Sequence, residues 1–277
     1  MRKSWIVLGL LAGCTGGPRL PAKAQGETVL EVRGALKKGP YALGRADLEK
    51  LPRRTVRGVD PATGRTASWE GISVAPVVSD RVDLAKGADT VIVRTADRAA
   101  IPIPLTLFRQ WKPVLADLAD GERLASPVLA WPTLEQRGIE TDPRADGWWA
   151  RGVVAFEIVE WQRAFAPALA APEGATDAAR RGSGLYADRC LRCHRMRGAG
   201  GERGPDLTTI AARLRQESFA SLLARHPGWN VTSGEAPGPQ GADELWSFLR
   251  AVAAASPVTP RREPVTANRG ASGPSSR

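Results

Sequence analysis

Short apolar runs, separated by turn-forming residues, characterise the chain from residue 27 to residue 163. Runs rich in β-branched residues predict strands at 29–32, 90–93 and 153–159. Short helical segments are predicted at 47–51, 105–111 and 113–118. Asp-Pro, Pro-Gly and Gly-rich dipeptides fill the gaps between them. The mixture predicts an α+β domain over 27–163.

The hydrophobic pattern changes to a helical period beyond residue 177. The clearest case is a set of apolar residues at i, i+3, i+4 and i+7, which form one helix face: Leu245, Phe248, Leu249 and Val252. An all-α domain is therefore expected over 177–255. The Ala/Pro-rich stretch 164–176 predicts a linker. Residues 256–277 offer little to bury and predict a disordered tail.

The amino terminus has the pattern of an export signal. Arg2 and Lys3 precede a short apolar stretch that ends in small residues. No apolar run approaches the roughly 20 residues of a membrane-spanning helix. The signal implies that the protein acts outside the cytoplasm.

The end of this signal, Leu-Ala-Gly-Cys, resembles the lipobox of bacterial lipoproteins. The resemblance implies cleavage before Cys14 and acylation of that cysteine, so that 1–13 is the signal peptide and 14–26 a flexible stem. The mature protein would then be tethered to the periplasmic side of a bacterial membrane. The alternative is a secretory signal cut after Ala22 or Ala24, which would give a soluble periplasmic protein.

Cysteine and histidine are scarce, which confines any metal or redox site to a few positions. The chain has three cysteines and two histidines. Three of these residues form the C-x-x-C-H motif of 190–194. Thiols at this spacing lie on one helical turn, where each can bond a haem vinyl group, and the adjacent imidazole supplies an axial iron ligand. The motif predicts one haem c, bound covalently by Cys190 and Cys193 and ligated by His194.

Two other interpretations of the cysteine pair are weaker. A zinc site needs additional cysteine or histidine ligands, and only His226 remains nearby. A thioredoxin-like redox pair needs a βαβ context, whereas these surroundings are helical. Haem c is attached outside the cytoplasm, which agrees with the export signal.

The residues around the motif resemble a class I c-type cytochrome domain. In that family a glycine and an aromatic residue of the first helix pack against a leucine and an aromatic residue of the last. The residues that match these four positions are Gly182, Tyr186, Leu245 and Phe248. The Gly-Pro-Asp-Leu stretch at 204–207 resembles the proximal loop of the family. The resemblance implies that the carbonyl of Pro205 accepts a hydrogen bond from the His194 imidazole and orients it.

The chain departs from this family at the sixth iron ligand. The family supplies that ligand from a Met-Pro pair, and here Ala236 stands before Pro237. Met196 follows His194 so closely that it is expected on the same side of the iron. The sixth ligand is therefore His226, water, or no group from the protein. A bis-His pair would lower the potential relative to His/Met, and an open position would admit small ligands.

Short motifs before the linker resemble the molybdopterin-binding domain of the sulfite oxidase family. They occur in the family's order at 30–34, 47–52, 69–74, 94–98 and 115–124. The family binds molybdenum through a cysteine, yet no cysteine occurs from 15 to 189. We therefore interpret the domain as a degenerate member without molybdenum cofactor; an unrelated α+β domain is the alternative. Three tryptophans would line a vestigial pocket or belong to the core or an interface: Trp131, Trp148 and Trp149.

Basic residues outnumber acidic ones, 39 to 29, for a net charge of +10. Arginines crowd the haem motif: Arg189, Arg192, Arg195, Arg197 and Arg203. They would steer an acidic redox partner, pair with haem propionates, as Arg213 would, or simply be solvated. Nucleic acid is not an expected partner of an exported protein.

These patterns predict an exported, lipid-anchored monohaem cytochrome that carries single electrons to or from a periplasmic redox partner. The N-terminal domain would be a non-catalytic docking module, and no catalytic residue is predicted. One alternative is a haem enzyme, or a gas or peroxide sensor, with an open sixth iron position. Another is a molybdopterin-dependent oxidoreductase fused to its cytochrome.

Overall fold

The structure is a computed structural model that describes residues 27–142, 144–226 and 236–256. The predicted signal peptide, lipidated Cys14 and stem lie outside the described residues. So does nearly all of the predicted tail. The segment 227–235, which lies between His226 and Ala236, is also outside them.

The N-terminal region is rich in strands. They are β1 (Thr28–Gly34), β2 (Tyr41–Gly44), β3 (Arg53–Val59), β4 (Thr66–Ser73), β5 (Thr90–Thr95), β6 (Ala100–Pro104), β7 (Val114–Ala119), β8 (Glu122–Ala130), β9 (Ala150–Arg151) and β10 (Val153–Val159). One described sheet has the order β2-β1-β10-β5-β6 and the other β3-β4-β7-β8-β9. The strands predicted at 29–32, 90–93 and 153–159 are confirmed within β1, β5 and β10.

Short helices connect these strands. They are α1 (Arg45–Leu48), α2 (Leu105–Trp111) and α3 (Arg137–Glu140), with a π-helical turn at Pro76–Asp80 and a 3-10 turn at Ala145–Trp148. The helices predicted at 47–51 and 105–111 are present, the first shifted towards its amino end. The helix predicted at 113–118 is wrong, because this segment is β7, paired on both edges with β4 and β8. A short apolar run carries no decisive period, so pairing with neighbours determines its conformation.

Aromatic side chains fill the N-terminal core. Trp131 is fully buried, with its ring centre 5.4 Å from that of Phe108 and 5.5 Å from that of Trp148. The indole N–H of Trp131 donates to the carbonyl of Trp148 at 3.0 Å. Trp149 is also buried and packs edge-on against Trp69. All three tryptophans of this group are buried core residues, but Trp148 and Trp149 also line cavities, and the indole N–H of Trp149 has no hydrogen-bond partner among the described residues.

The C-terminal region is helical. Its elements are α4 (Trp161–Ala164), α5 (Ala166–Leu169), α6 (Asp177–Arg189), β11 (Arg195–Met196), β12 (Ala199–Gly200), a 3-10 turn at Ile210–Ala212, α7 (Gln216–Ala224) and α8 (Pro239–Ala255). The small β11–β12 hairpin is a departure from the all-α expectation. No helix within the described residues has the length and apolar character needed to cross a bilayer.

The stretch predicted as a linker, 164–176, is only partly extended. Its first half contains α5, and Phe165 and Leu169 are buried in the same apolar cluster as Tyr186 of α6. This cluster also includes Ile92 of β5 and Ala100 of β6. The two regions therefore share buried surface, which composition alone did not indicate because alanine and proline are common in both linkers and helix ends.

Candidate functional site

The crossing of α6 and α8 forms the frame of the site. Gly182 of α6 lies so close to α8 that a β-carbon there would be 2.0 Å from the carbonyl oxygen of Glu244 and 2.9 Å from Cβ of Phe248. One turn later, the Tyr186 ring packs on Phe248, with 5.8 Å between ring centres. The absence of a side chain at Gly182 allows the two helix backbones to meet, so the C-terminal end of α6 is held firmly.

The cysteine motif begins where α6 ends. Cys190 is the C-cap residue, and its carbonyl accepts hydrogen bonds from the backbone N–H groups of Cys193 at 3.0 Å and His194 at 2.9 Å. The motif thus closes a single helical turn, as the spacing predicts. Burial raises the pKa of Cys190 to about 12 and also raises that of Cys193. The thiolate form, which a redox pair or a zinc site uses, is disfavoured at both positions.

The imidazole of His194 is held in one orientation by the proximal loop. Its Nδ1 lies 2.8 Å from the carbonyl oxygen of Pro205. A carbonyl only accepts, so Nδ1 carries the hydrogen, which leaves the lone pair of Nε2 free for a metal. Burial lowers the pKa of His194, which further favours the neutral imidazole that ligates iron.

Gly204 lets this loop lie flat against the ring. A β-carbon there would be 2.2 Å from Cε1 of His194 and 2.5 Å from Nδ1. Any larger residue at this position would therefore push the loop away from the imidazole or rotate the ring. Gly204 and Pro205 together fix the ring plane, one by its lack of a side chain and the other by its carbonyl.

His226 lies near His194 although the two are far apart in sequence. Their ring centres are 5.7 Å apart, with the planes inclined by 57°. His226 follows the end of α7, where its backbone N–H donates a hydrogen bond to the carbonyl oxygen of Leu223 at 3.2 Å. Met196 is fully buried in β11. Arg213 is exposed after the 3-10 turn, and its pairing with a propionate remains a prediction.

The residues present fit a covalent haem. Two thiols and a neutral imidazole share one helical turn, and the imidazole nitrogen available for iron is the one not used by Pro205. The hydroxyl of Tyr186 is buried and has no hydrogen-bond partner among the described residues. Cys190 and Cys193 would hold the haem and His194 would ligate its iron, which supplies one-electron redox chemistry.

The turn between the two cysteines is docked on the N-terminal region. Arg192 is buried, and its guanidinium donates to the carbonyls of Gly147 at 3.1 Å and Trp149 at 3.4 Å. Its own carbonyl accepts a hydrogen bond from the N–H of Ala100 in β6 at 2.9 Å. A cavity of about 650 Å³ lies beside this contact and is lined by residues of both regions, including Arg189 and Trp148.

Two residues of this site were missed by sequence reasoning. Arg192 was grouped with the other arginines of the motif, for which partner steering, propionate pairing and simple solvation were left open, but its side chain is buried. Gly204 was included only as part of a loop pattern. The sequence signal for Gly204 was its place before Pro205; no signal in the sequence distinguished Arg192, since its burial depends on a surface contributed by distant residues.

Comparison with known proteins identifies the helical region. Residues 179–246 match the family model for cytochrome c. This match supports a c-type cytochrome domain in the C-terminal region, and a domain of this kind implies covalently bound haem c. No curated protein matches the chain.

Among solved structures, the chain is similar to the sulfane dehydrogenase SoxCD from Paracoccus pantotrophus. The identity is 13%, the TM-score is 0.36, and the match covers 47% of this chain and 38% of that chain. The chain thus spans well under half the length of that structure, and the likeness is too low to support a functional argument.

Proposed function

We propose that the protein is an exported, lipid-anchored cytochrome with one haem c, which accepts single electrons from one periplasmic partner and passes them to another. The observation that supports it most directly is the hydrogen bond between Nδ1 of His194 and the Pro205 carbonyl. This bond prepares Nε2 for iron at the position that the two cysteine thiols define. The protein residues bind and orient the haem, and no bond-making step is assigned to them.

The test is expression of the full chain in bacteria that have haem-attachment machinery. The expected product is coloured, keeps its porphyrin under denaturing conditions, and carries lipid on Cys14. The Cys190→Ala, Cys193→Ala double variant serves as the control and should be colourless. A colourless wild-type protein without the added porphyrin mass would overturn the proposal.

We further propose that His226 is the sixth iron ligand. Two imidazoles that share one metal, with metal–nitrogen bonds of about 2 Å, have ring centres roughly 6 Å apart. The separation of 5.7 Å between His194 and His226 is close to this value. Bis-His ligation would make the iron low-spin and lower its potential relative to His/Met ligation.

The spin state of the iron tests this assignment. His226→Ala is expected to convert low-spin iron to high-spin iron that binds carbon monoxide. Arg225→Gln, which alters the neighbouring residue at the end of α7, should leave the spectrum low-spin. A low-spin spectrum in His226→Ala would exclude His226. High-spin iron in the wild type would instead favour the alternative of an open-site haem enzyme or sensor.

The N-terminal domain acts, in this proposal, as a docking module without molybdenum. The supporting observation is the lack of any cysteine from 15 to 189, which removes the thiolate ligand that the resemblance requires. Metal analysis of the purified full-length protein is the check. Iron without molybdenum is expected, and stoichiometric molybdenum would favour a molybdopterin oxidoreductase fused to its cytochrome.

A further inference from the structure

Arg192 is more deeply buried than the other arginines near the haem motif, Arg189, Arg195, Arg197 and Arg203. Only 8% of Arg192 is exposed, although arginine is rarely buried without a charged partner. Its neighbours Arg195 and Arg203 form ion pairs with Glu202 and Asp97 and have exposed side chains. Among the described residues, no carboxylate forms an ion pair with Arg192.

The guanidinium is instead held by dipoles of the N-terminal region. The carbonyls of Gly147 and Trp149 accept two of its N–H groups, and its Nε is buried without a hydrogen-bond partner among the described residues. Carbonyl dipoles stabilise a positive charge but do not neutralise it. A full positive charge is therefore retained on a side chain with little exposure to solvent, at the edge of the cavity between the two regions and between the two cysteines that would bond the haem.

We propose that Arg192 couples docking of the N-terminal domain to the redox state of the haem. This inference rests on the proposed function, because it requires haem at Cys190 and Cys193. With the domains docked, the charge of Arg192 acts on the iron through a medium of low dielectric constant. With the domains apart, water solvates and screens it.

The sign of the coupling follows from charge. The ferric haem centre carries one more positive charge than the ferrous centre, so a nearby unneutralised guanidinium disfavours the ferric state. Docking therefore raises the reduction potential. Any loss of water around the haem on docking would act in the same direction, and replacing Arg192 separates the two contributions.

Thermodynamic reciprocity gives a second consequence. If docking favours reduction by some factor, reduction must favour docking by the same factor. Two backbone hydrogen bonds report on docking directly. The N–H of Ala100 donates to the carbonyl of Arg192, and the N–H of Glu202 donates to the carbonyl of Arg98, each at 2.9 Å. Exchange of these amide hydrogens with solvent requires these two hydrogen bonds between the regions to break, which separation of the domains does to both at once.

The first experiment measures the midpoint potential of the haem-loaded full chain. Arg192→Gln keeps hydrogen-bond donors but removes the charge. At a fixed solution potential, this variant is expected to have a ratio of oxidised to reduced haem at least tenfold higher than the wild type. This corresponds to a midpoint potential lower by about 59 mV for one electron. Arg195→Gln is the matched control. It also removes a positive charge next to the haem motif, but the Arg195 side chain is 41% exposed and forms an ion pair with Glu202. Its shift should be less than threefold.

The second experiment uses hydrogen exchange in the wild type, which needs no substitution. The amides of Ala100 and Glu202 should exchange about tenfold more slowly in the reduced protein than in the oxidised protein. Arg192→Lys keeps the charge. It should retain more than half of this difference in exchange rate, and its midpoint potential should fall by less than half of the shift seen in Arg192→Gln. Equal exchange in both redox states, or equal shifts in Arg192→Gln and Arg195→Gln, would overturn the coupling. Failure to attach haem would instead show as missing porphyrin mass.

Discussion

Substitution of Gly182 by alanine tests the helix crossing that positions the haem motif. Gly182 lies inside α6, where alanine normally stabilises a helix by about 1 kcal/mol relative to glycine. Here the added β-carbon would lie 2.0 Å from the Glu244 carbonyl oxygen and 2.9 Å from Cβ of Phe248. The first of these atoms belongs to the α8 backbone, so it cannot move away without displacing the helix.

The clash should outweigh the helix propensity. Overpacking a well-filled interface costs about 1–3 kcal/mol, and contact with a backbone atom is at the upper end of that range. The net destabilisation expected is therefore about 1–2 kcal/mol. For a domain of this size, each kcal/mol lowers Tm by about 4–8 °C.

Gly184→Ala is the matched control. Gly184 lies on the same helix, is exposed, and has nothing within 4 Å of a built β-carbon. The same substitution there should stabilise the domain by about 0.5–1 kcal/mol. Thermal unfolding of the haem-loaded protein, followed by haem absorbance and by circular dichroism, measures both variants. Equal or higher Tm in Gly182→Ala than in Gly184→Ala would refute the close crossing of α6 and α8.

Two further predictions concern the haem pocket and its frame. Gly204→Ala should displace the His194 ring, because the new β-carbon would meet it at 2.2 Å; a shifted Soret band and a high-spin fraction are expected, and an unchanged spectrum would contradict the geometry. Hydrogen bonds from Arg181, and then from Gln240, hold the pKa of Glu244 below its ordinary value of 4.5. The stabilisation of the folded state by the ionised Glu244 carboxylate is therefore complete above the ordinary pKa of 4.5. It is lost as the pH falls through the lowered pKa. The Tm difference between wild type and Glu244→Gln should shrink from about pH 6 to about pH 3; a constant difference would contradict this.

Local patterns were reliable where a single element carried the information. The strand β10 and the helix α2 have the bounds that their patterns predicted. The pattern at 113–118 failed because strand pairing with β4 and β8, both contributed by other parts of the chain, determined the conformation of β7. In the Ala/Pro-rich segment predicted as a linker, Phe165 and Leu169 are buried in the same apolar cluster as Tyr186 of α6.

The sequence by itself determined which residues of this protein can carry metal or redox chemistry. The C-x-x-C-H turn, the scarcity of other cysteines and histidines, and the glycine and aromatic spacing of α6 and α8 are local features, and each limits the chemistry without knowledge of the fold. Only the tertiary structure decided which arginine is buried, that Gly204 lies against His194, and that His226 lies 5.7 Å from it. These relations join segments that are distant along the chain, and their geometry depends on packing that no local pattern encodes.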